Sequence, residues 1–215
     1  MRAINLRTEH MINPIGIDSK EPYLSWNCED GRRQTAYQIV AMDENGVVWD
    51  SSRVESDSMH ASCPLELKSR QRIFWKIRLW DEKNEAGEWS AEAFFEMGLS
   101  DKADWRAEWI NPEPECDPEA HKPASYLRTY FQCDAESLNK SARLYVTAHG
   151  LYEVWINGKR AGDFVLAPGS YNYDKQTKVY LLALDSILVQ SIYSTSRLMK
   201  PLSARTRTNC VKTLL

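Results

Sequence analysis

The residues that most often bind metals or act as nucleophiles are few in this chain and lie far apart. Cys116, Asp117 and His121 stand close enough for a metal-ligand set, but their proline-rich surroundings favour an exposed loop. His149 directly precedes Gly150 between two apolar runs, which is typical of a turn residue. No Ser-His-Asp order, glycine-rich phosphate loop or Cys-x-x-Cys motif occurs. We therefore expect no catalytic residue, no metal site and no cofactor.

Aromatic side chains are the best candidates for ligand contact. Sugars present C–H faces that pack on aromatic rings, so exposed tryptophan and tyrosine on a β-sheet protein can bind glycans. Trp155 alternates out of phase with its apolar neighbours on both sides, and Tyr171 and Tyr173 follow Pro168-Gly169. We take Trp155, Tyr171 and Tyr173 as candidate carbohydrate contacts. The alternative is that these rings pack against a neighbouring domain.

The elements that position these residues are predicted to be β-strands. Apolar residues alternate through 144–148 and again through 152–156, as a half-buried strand requires. Asn157-Gly158 follows, and both residues tolerate the positive φ angles of a type I′ hairpin turn. Residues 72–81 alternate in the same way, and these side chains are predicted to face inward: Ile73, Trp75, Ile77 and Leu79. On the outer face of that strand, Phe74 and Trp80 interrupt the polar pattern, so this face is predicted to be partly covered.

Changes in composition divide the chain into four parts. Residues 1–99 are predicted to form one all-β module, and residues 100–122 a proline-containing linker. Residues 123–180 are predicted to form a second, partial β-sandwich. Residues 181–215 lack glycine, carry five basic residues and keep neither a period of two nor one of 3.6, so we expect an irregular, disordered tail.

Charge and cysteine content exclude several classes of protein. The formal net charge of -3 gives no general attraction to nucleic acid or to an anionic membrane. No segment approaches the ~20 apolar residues of a membrane helix, and the first residues lack the apolar core of a secretory signal. The five cysteines are odd in number and widely spaced, so we expect free thiols in a reducing cytoplasm.

The sequence resembles the N-terminal region of bacterial α-L-rhamnosidases of glycoside hydrolase family 78. In the first module the matching pieces are NPIGID, PYLSW, AYQIVA, WDS, FWKIRLWD, EWS and FEMGL. In the second they are YLRTYF, ARLYVTAHGLYEVWINGKRAGD and LAPGSYNYDKQTKVY. The resemblance implies an all-β fold of two sandwich modules. The first is fibronectin type III-like and the second is a partial, jelly-roll-like sandwich that opens the family's N-terminal domain.

The resemblance also implies the activity of the whole family protein, which is inverting hydrolysis of terminal α-L-rhamnosyl linkages. In the family the acidic catalytic residues lie on a helical barrel that comes later in the chain. This sequence departs from the family pattern after Val179-Tyr180, so we expect a truncated or frame-shifted product that is inactive alone. No position matches a family catalytic residue. The partners implied are rhamnose-containing glycans or the missing catalytic domain.

The acidic residues of this chain do not alter that expectation. Glycoside hydrolysis needs two carboxyl groups about 5–10 Å apart, one of them with a raised pKa. Glu153, Asp163 and Asp174 are predicted at outward strand positions or turns, which favours solvated surface groups. The leading hypothesis is a non-catalytic N-terminal fragment of an α-L-rhamnosidase-like hydrolase. The alternatives are a free-standing carbohydrate-binding module and a protein-interaction module.

Overall fold

The protein is described by a computed structural model that covers two compact units, Met1–Asp104 and Trp105–Leu215. The structure describes residues 1–110, 125–129, 142–169, 171–172, 175, 178–184, 192–197 and 211–214. Within these ranges the secondary structure is β-strand apart from a single 3-10 turn, Lys102–Asp104. None of the described segments forms a helix long and apolar enough to cross a membrane.

The first unit contains nine strands arranged in two sheets. The strands are β1 (Arg2–Thr8), β2 (Ile15–Ile17), β3 (Tyr23–Glu29), β4 (Ala36–Asp43), β5 (Gly46–Asp50), β6 (Val54–Glu55), β7 (His60–Ser62), β8 (Arg72–Trp80) and β9 (Ala93–Met97). One sheet has the order β1-β3-β7. The other has the order β2-β9-β8-β4-β5, and β6 pairs with β4 beside this path. The expected all-β fold is therefore present in this unit.

The core of the first unit is built on the strand β8, in which every second side chain faces inward. Its inward side chains, Ile73, Trp75, Ile77 and Leu79, are all 0% exposed, as the two-residue period predicts. They pack with Leu24 and other apolar residues of the smaller sheet in a single buried cluster. The hydrophobic effect of closing these two faces on each other is the main force that stabilises this unit.

The outer face of β8 is covered by aromatic and cationic side chains. The Arg78 guanidinium lies 5.0 Å from the ring centroid of Trp80 and 4.9 Å from that of Trp89. Phe74 packs on Phe94 with a centroid distance of 6.0 Å. Trp80 is only 8% exposed, so the prediction that this face is partly covered is confirmed. Cation–π contact allows a charged side chain to shield an indole from water while keeping its own charge at the surface.

The second unit has its own strands and its own core. Its strands are β10 (Ser125–Thr129), β11 (Ala142–Ala148), β12 (Leu151–Ile156), β13 (Lys159–Arg160), β14 (Tyr180–Leu184), β15 (Ile192–Arg197) and β16 (Val211–Leu214). They form one sheet of order β10-β15-β12-β13 and another of order β14-β11-β16. The buried cluster contains Leu144 and Val146 from β11 and Val154 and Ile156 from β12, so it joins the two sheets.

The connections around β12 confirm one turn prediction and add a detail that alternation alone does not specify. Asn157 (φ 49°) and Gly158 (φ 76°) both adopt positive φ, and Ile156 pairs with Lys159, as a two-residue type I′ hairpin requires. By contrast, His149 and Gly150 connect strands that belong to different sheets. Both strands bury the side chains that face the common core. Two alternating segments joined by a short turn can therefore lie in different sheets, and the period-two pattern alone does not distinguish this arrangement from a hairpin.

The tail differs from the irregular segment expected for residues 181–215. The strand β14 continues to Leu184 and pairs with β11, while β15 lies between β10 and β12 and β16 pairs with β11. The other residues of this segment lie outside the described part of the chain. Periodicity missed these strands because β-propensity depends strongly on available partners. These segments are extended because their backbones hydrogen-bond to β10, β11 and β12, and their own sequences show no strand pattern.

Candidate functional site

Trp155 lies on the outer face of the four-stranded sheet. Its neighbours Val154 and Ile156 are 3% and 4% exposed and face the core, while Trp155 is half-buried on the opposite side. Its backbone pairs with that of Arg160 across the hairpin. The Arg160 guanidinium also lies 3.7 Å from the Glu153 carboxylate, which shares this face with Trp155. Trp155 is thus flanked by charged groups on a sheet surface and not placed at a loop.

Tyr171 lies at the other end of β12. Its hydroxyl donates a 3.4 Å hydrogen bond to the carbonyl of Ala148, at the start of the turn that leads into β12. Trp155 is four residues beyond Leu151 along an extended strand, which corresponds to ~13 Å. The structure therefore does not bring Trp155 and Tyr171 together. Tyr173, the third ring predicted from sequence, lies outside the described residues.

The structure instead places the Tyr171 hydroxyl next to the turn that carries His149, a residue that the sequence did not combine with it. The rings of Trp109 and His149 contact each other, with centroids 4.4 Å apart and planes inclined by 42°. The Lys178 ammonium lies 5.5 Å from the centroid of the Tyr171 ring. We call Trp109, His149 and Tyr171 the ring cluster. His149 belongs to the short turn between β11 and β12, Trp109 contacts the His149 ring, and the Tyr171 hydroxyl bonds to Ala148 beside it.

Two aspects of the ring cluster explain why the sequence did not reveal it. Trp109 belongs to the stretch predicted as a linker, about 40 residues before His149, and no local period connects the two. The prediction of His149 as a turn residue is confirmed, since it follows the last residue of β11 and precedes Gly150. The signal that did exist was the unusual pair of tryptophans in a segment expected to be solvated.

A second surface feature is an exposed apolar loop, residues 164–166. Phe164 is 47% exposed, Val165 72% and Leu166 54%. The loop is held at both ends, because the amide of Ala161 donates to the Val154 carbonyl and that of Tyr152 donates to the Ala167 carbonyl, each at 2.8 Å. A run of three exposed large apolar residues on an anchored loop is unusual for a surface that faces only water.

Two of the three acidic residues considered in the sequence analysis lie in the described part of the chain, and both are surface groups. Glu153 is within ion-pair distance of Arg160, and Asp163 is exposed in the loop after the β12–β13 hairpin. Asp174 lies outside the described residues, as do Cys116, Asp117 and His121. Glu153 and Asp163 are both open to solvent, in contrast to the enclosed general acid of a glycosidase.

Where a carboxyl pKa is clearly shifted in the described residues, it is lowered. The backbone N–H of Glu85 donates a 2.9 Å hydrogen bond to the Asp81 carboxylate and holds the pKa of that group below its ordinary value. The backbone N–H of Glu82 itself, and then that of Arg32, donate to the Glu82 carboxylate and lower its pKa. A lowered pKa favours a permanent charge at neutral pH, the reverse of what proton donation to a leaving group requires.

Tyr152 is a buried tyrosine of the second unit whose pKa is clearly raised. It is 5% exposed, and burial raises its pKa well above the ordinary value, with further contributions from nearby Tyr180 and Tyr171. Its ring meets that of Tyr180 edge-on, with centroids 6.5 Å apart. Tyr152 therefore stays neutral at physiological pH and acts as a core residue.

Comparison with known protein families assigns both units. Residues 3–101 match the Rha78A-like N-terminal immunoglobulin domain, and residues 138–191 match the alpha-L-rhamnosidase N-terminal domain. The sequence analysis described the first unit as fibronectin type III-like. Immunoglobulin and fibronectin type III domains share the sandwich architecture, so the predicted fold class is confirmed.

Full-length relatives agree with this assignment. An alpha-L-rhamnosidase of Alteromonas sp. (strain LOR) is 35% identical over 201 residues, which are 85% of this chain and 22% of the relative. One from Formosa agariphila is 36% identical over 188 residues, 79% of this chain and 20% of the relative. The chain thus spans about a fifth of the length of the curated relatives it matches.

Solved structures show the same correspondence in three dimensions. The alpha-L-rhamnosidase of Dictyoglumus thermophilum aligns with 99% of this chain at a TM-score of 0.83 and 28% identity, over 27% of its own length. That of Aspergillus terreus also gives a TM-score of 0.83, at 25% identity and over 26% of its length. The chain is therefore N-terminal α-L-rhamnosidase-family sequence, in which a Rha78A-like immunoglobulin domain precedes an α-L-rhamnosidase N-terminal domain.

Proposed function

We propose that this chain is the non-catalytic N-terminal β-sandwich region of an α-L-rhamnosidase-type glycoside hydrolase. The observation that carries the proposal is that 99% of the chain aligns with 27% of a solved α-L-rhamnosidase. The whole protein would release terminal α-L-rhamnosyl groups from glycans, with inversion as the resemblance implies. The two sandwich units would serve as its structural and binding part.

The chemistry of the described acids supports a non-catalytic role. A glycosidase needs one carboxyl group that keeps its proton and a second carboxylate across the bond to be broken. Asp81 and Glu82 have lowered pKa values, and Glu153 is within ion-pair distance of an arginine. Each of these groups is suited to remain charged at a surface and not to donate a proton to a leaving sugar.

The apolar loop supports a partner for the second unit. Residues 164–166 expose side chains that another protein surface would cover favourably, at about 25 cal/mol per Å² of apolar area buried. In this proposal the surface is the remainder of the longer hydrolase. A protein-interaction role is thus compatible with the enzyme assignment, and the partner belongs to the same protein.

We also propose that the chain works in a reducing compartment. Cys28 and Cys63 are both free thiols, and Cys63 is fully buried. Disulfides rather than free thiols are usual in small oxidised domains. Thiol titration of the denatured chain, purified without reductant from cytoplasmic expression, should find five reactive groups. Any disulfide pairing would contradict this placement.

An aryl α-L-rhamnoside assay tests the proposed function. The purified chain is incubated with 4-nitrophenyl α-L-rhamnopyranoside beside the Dictyoglumus thermophilum enzyme as a positive control. We expect nitrophenol release by the chain to equal that of a heat-denatured sample. Turnover above that background, in a preparation that keeps its activity through repeated purification, would contradict the proposal.

A further inference from the structure

The ring cluster is assembled from three separate parts of the chain at a single turn. His149 comes from the turn itself, Trp109 from the segment before β10, and Tyr171 from the segment after Pro168. The hydroxyl of Tyr171 donates a 3.4 Å hydrogen bond to the Ala148 carbonyl, which places this hydroxyl beside that turn. Thr147 donates a 2.6 Å hydrogen bond to the carbonyl of Lys178 and so positions the lysine backbone next to it.

The ring cluster does not form part of the buried core. The core of this unit consists of aliphatic residues and Tyr152, whose exposures are 7% or less. Trp109, in contrast, is 39% exposed, and His149 and Tyr171 are half-buried. Trp109 belongs to the large apolar residues of the described part of the chain that stay more than a third exposed, although indole is the largest apolar side chain. Trp109 therefore keeps part of its surface open to solvent while the His149 ring contacts it.

The chemistry of this surface matches that of a hexopyranose. The Trp109 indole offers a flat apolar platform with the His149 ring against it. The Tyr171 hydroxyl lies at the same turn, on the Ala148 carbonyl, and the Lys178 ammonium lies over the Tyr171 ring. Sugar rings pack their C–H faces on such platforms and use their hydroxyls on polar neighbours. A 6-deoxyhexose suits an aromatic platform better than a fully hydroxylated sugar, because its methyl group adds apolar contact area.

We propose that the ring cluster is a sugar-binding platform for L-rhamnose-type 6-deoxyhexoses, with Trp109 as the main contact. The choice of sugar rests on the proposed function. The location does not, since it follows from the contacts and exposure of these residues. A shallow platform of one main ring should bind weakly, with a Kd on the order of 1 mM. This position differs from the one predicted by the sequence, which included Trp155.

The test is a titration of the ¹⁵N-labelled chain with methyl α-L-rhamnopyranoside and, separately, with free L-rhamnose. Each tryptophan has an indole N–H signal, and the Trp109→Leu and Trp155→Leu variants assign the two signals of interest. We expect both sugars to shift the Trp109 signal in a saturable way and to leave that of Trp155 in place. In Trp109→Leu the remaining shifts should require at least ~10-fold more sugar. In Trp155→Leu they should follow the unchanged chain.

Three results would overturn the inference. One is the absence of saturable shifts up to about 50 mM sugar, well above the expected Kd. Another is loss of binding in Trp155→Leu but not in Trp109→Leu, with both variants folded by thermal denaturation. The third is an equal response to D-glucose, which would remove the preference for a deoxy sugar. The nitrophenol assay is independent of these outcomes. A failed titration would overturn the sugar-binding platform but not the proposed non-catalytic function. Turnover in the nitrophenol assay would overturn the proposed function, whatever the titration shows.

Discussion

The indole Nε1 of Trp26 donates a 3.0 Å hydrogen bond to Oε1 of Gln34 inside the first unit. Gln34 is 5% exposed, and its amide group donates to the carbonyls of Ser56 (3.1 Å) and Ser58 (2.8 Å). One buried side chain thus ties a core indole to the segment between β6 and β7. Buried polar groups that are fully satisfied in this way restrict the ways in which a sandwich can pack.

Replacing Gln34 with leucine should therefore destabilise the first unit. The variant leaves the Trp26 N–H and two backbone carbonyls without this partner, and each unsatisfied buried group costs about 1–3 kcal/mol. We expect a loss of about 2–4 kcal/mol in the free energy of unfolding, measured by chemical denaturation. Gln38→Leu, at a half-buried position on the outer face, is the control and should cost under ~1 kcal/mol. Equal effects of the two substitutions would contradict the role given to Gln34.

The two glycines that follow β12 and β13 allow backbone strain to be separated from steric crowding. Gly158 and Gly162 have φ angles of 76° and 74°, which a residue with a Cβ rarely adopts. A Cβ at Gly158 would meet no atom within 4 Å, whereas one at Gly162 would lie 2.8 Å from Cδ2 of the buried Leu182. Gly158→Ala should cost about 1 kcal/mol from strain alone.

Gly162→Ala should cost more, because the Leu182 side chain must also move within the core. We expect about 2 kcal/mol in total, from the same strain plus overpacking. Thermal denaturation of both variants measures the difference directly. If Gly162→Ala were as stable as Gly158→Ala, the close contact between Leu182 and residue 162 would be contradicted.

Cys63 should make the stability of the first unit depend on pH in the alkaline range. Burial raises the pKa of its thiol from an ordinary value of 9.0 to about 11. The folded state therefore holds the proton more tightly, and this contribution is complete below pH 9 and is lost as pH rises towards 11. Relative to Cys63→Ala, the unchanged chain should lose about 2 kcal/mol of stability between pH 7.5 and pH 10.5. If the free energy of unfolding of the two proteins changed in parallel with pH, the burial of the Cys63 thiol would be contradicted.

The apolar loop should promote self-association when the chain is isolated. Val165 is 72% exposed, so Val165→Asp should remove apolar contact area without affecting the fold, with a stability change within about 0.5 kcal/mol. We expect sedimentation velocity at increasing protein concentration to show less association for Val165→Asp than for the unchanged chain. Lys159→Gln, an exposed change in the nearby hairpin, lowers the net charge by the same single unit and controls for it. Equal association of all three proteins would show that the loop is not a contact surface.

The sequence was most informative where the physical rule is local. The two-residue period of β8 identified Ile73, Trp75, Ile77 and Leu79 as core, because every second side chain of a strand points the same way. Asn157-Gly158 identified a type I′ turn, because these residue types tolerate positive φ. In contrast, Glu9 also adopts positive φ, at 50°, although glutamate has no preference for this conformation.

The sequence was least informative where the outcome depends on distant partners. The strands β14, β15 and β16 form by pairing with β10, β11 and β12, and the paired residues are 34 (Val146 and Tyr180) to 71 (Ser125 and Ser196) positions apart in the chain. The same limit applies to the candidate site. Trp155 and Tyr171 share a residue class but lie at opposite ends of β12, while Trp109 and His149 meet through the fold alone.

Amide hydrogen exchange of the isolated chain tests most directly whether its two all-β units are formed by these 215 residues. The account predicts slow exchange in Arg72–Trp80 and in Leu151–Ile156, and measurable protection in Tyr180–Leu184, whose backbone pairs with β11. Rapid exchange of Leu151–Ile156 and Tyr180–Leu184, at the rate of an unfolded peptide, would contradict it. In that case the second unit would have no sheet to support the ring cluster.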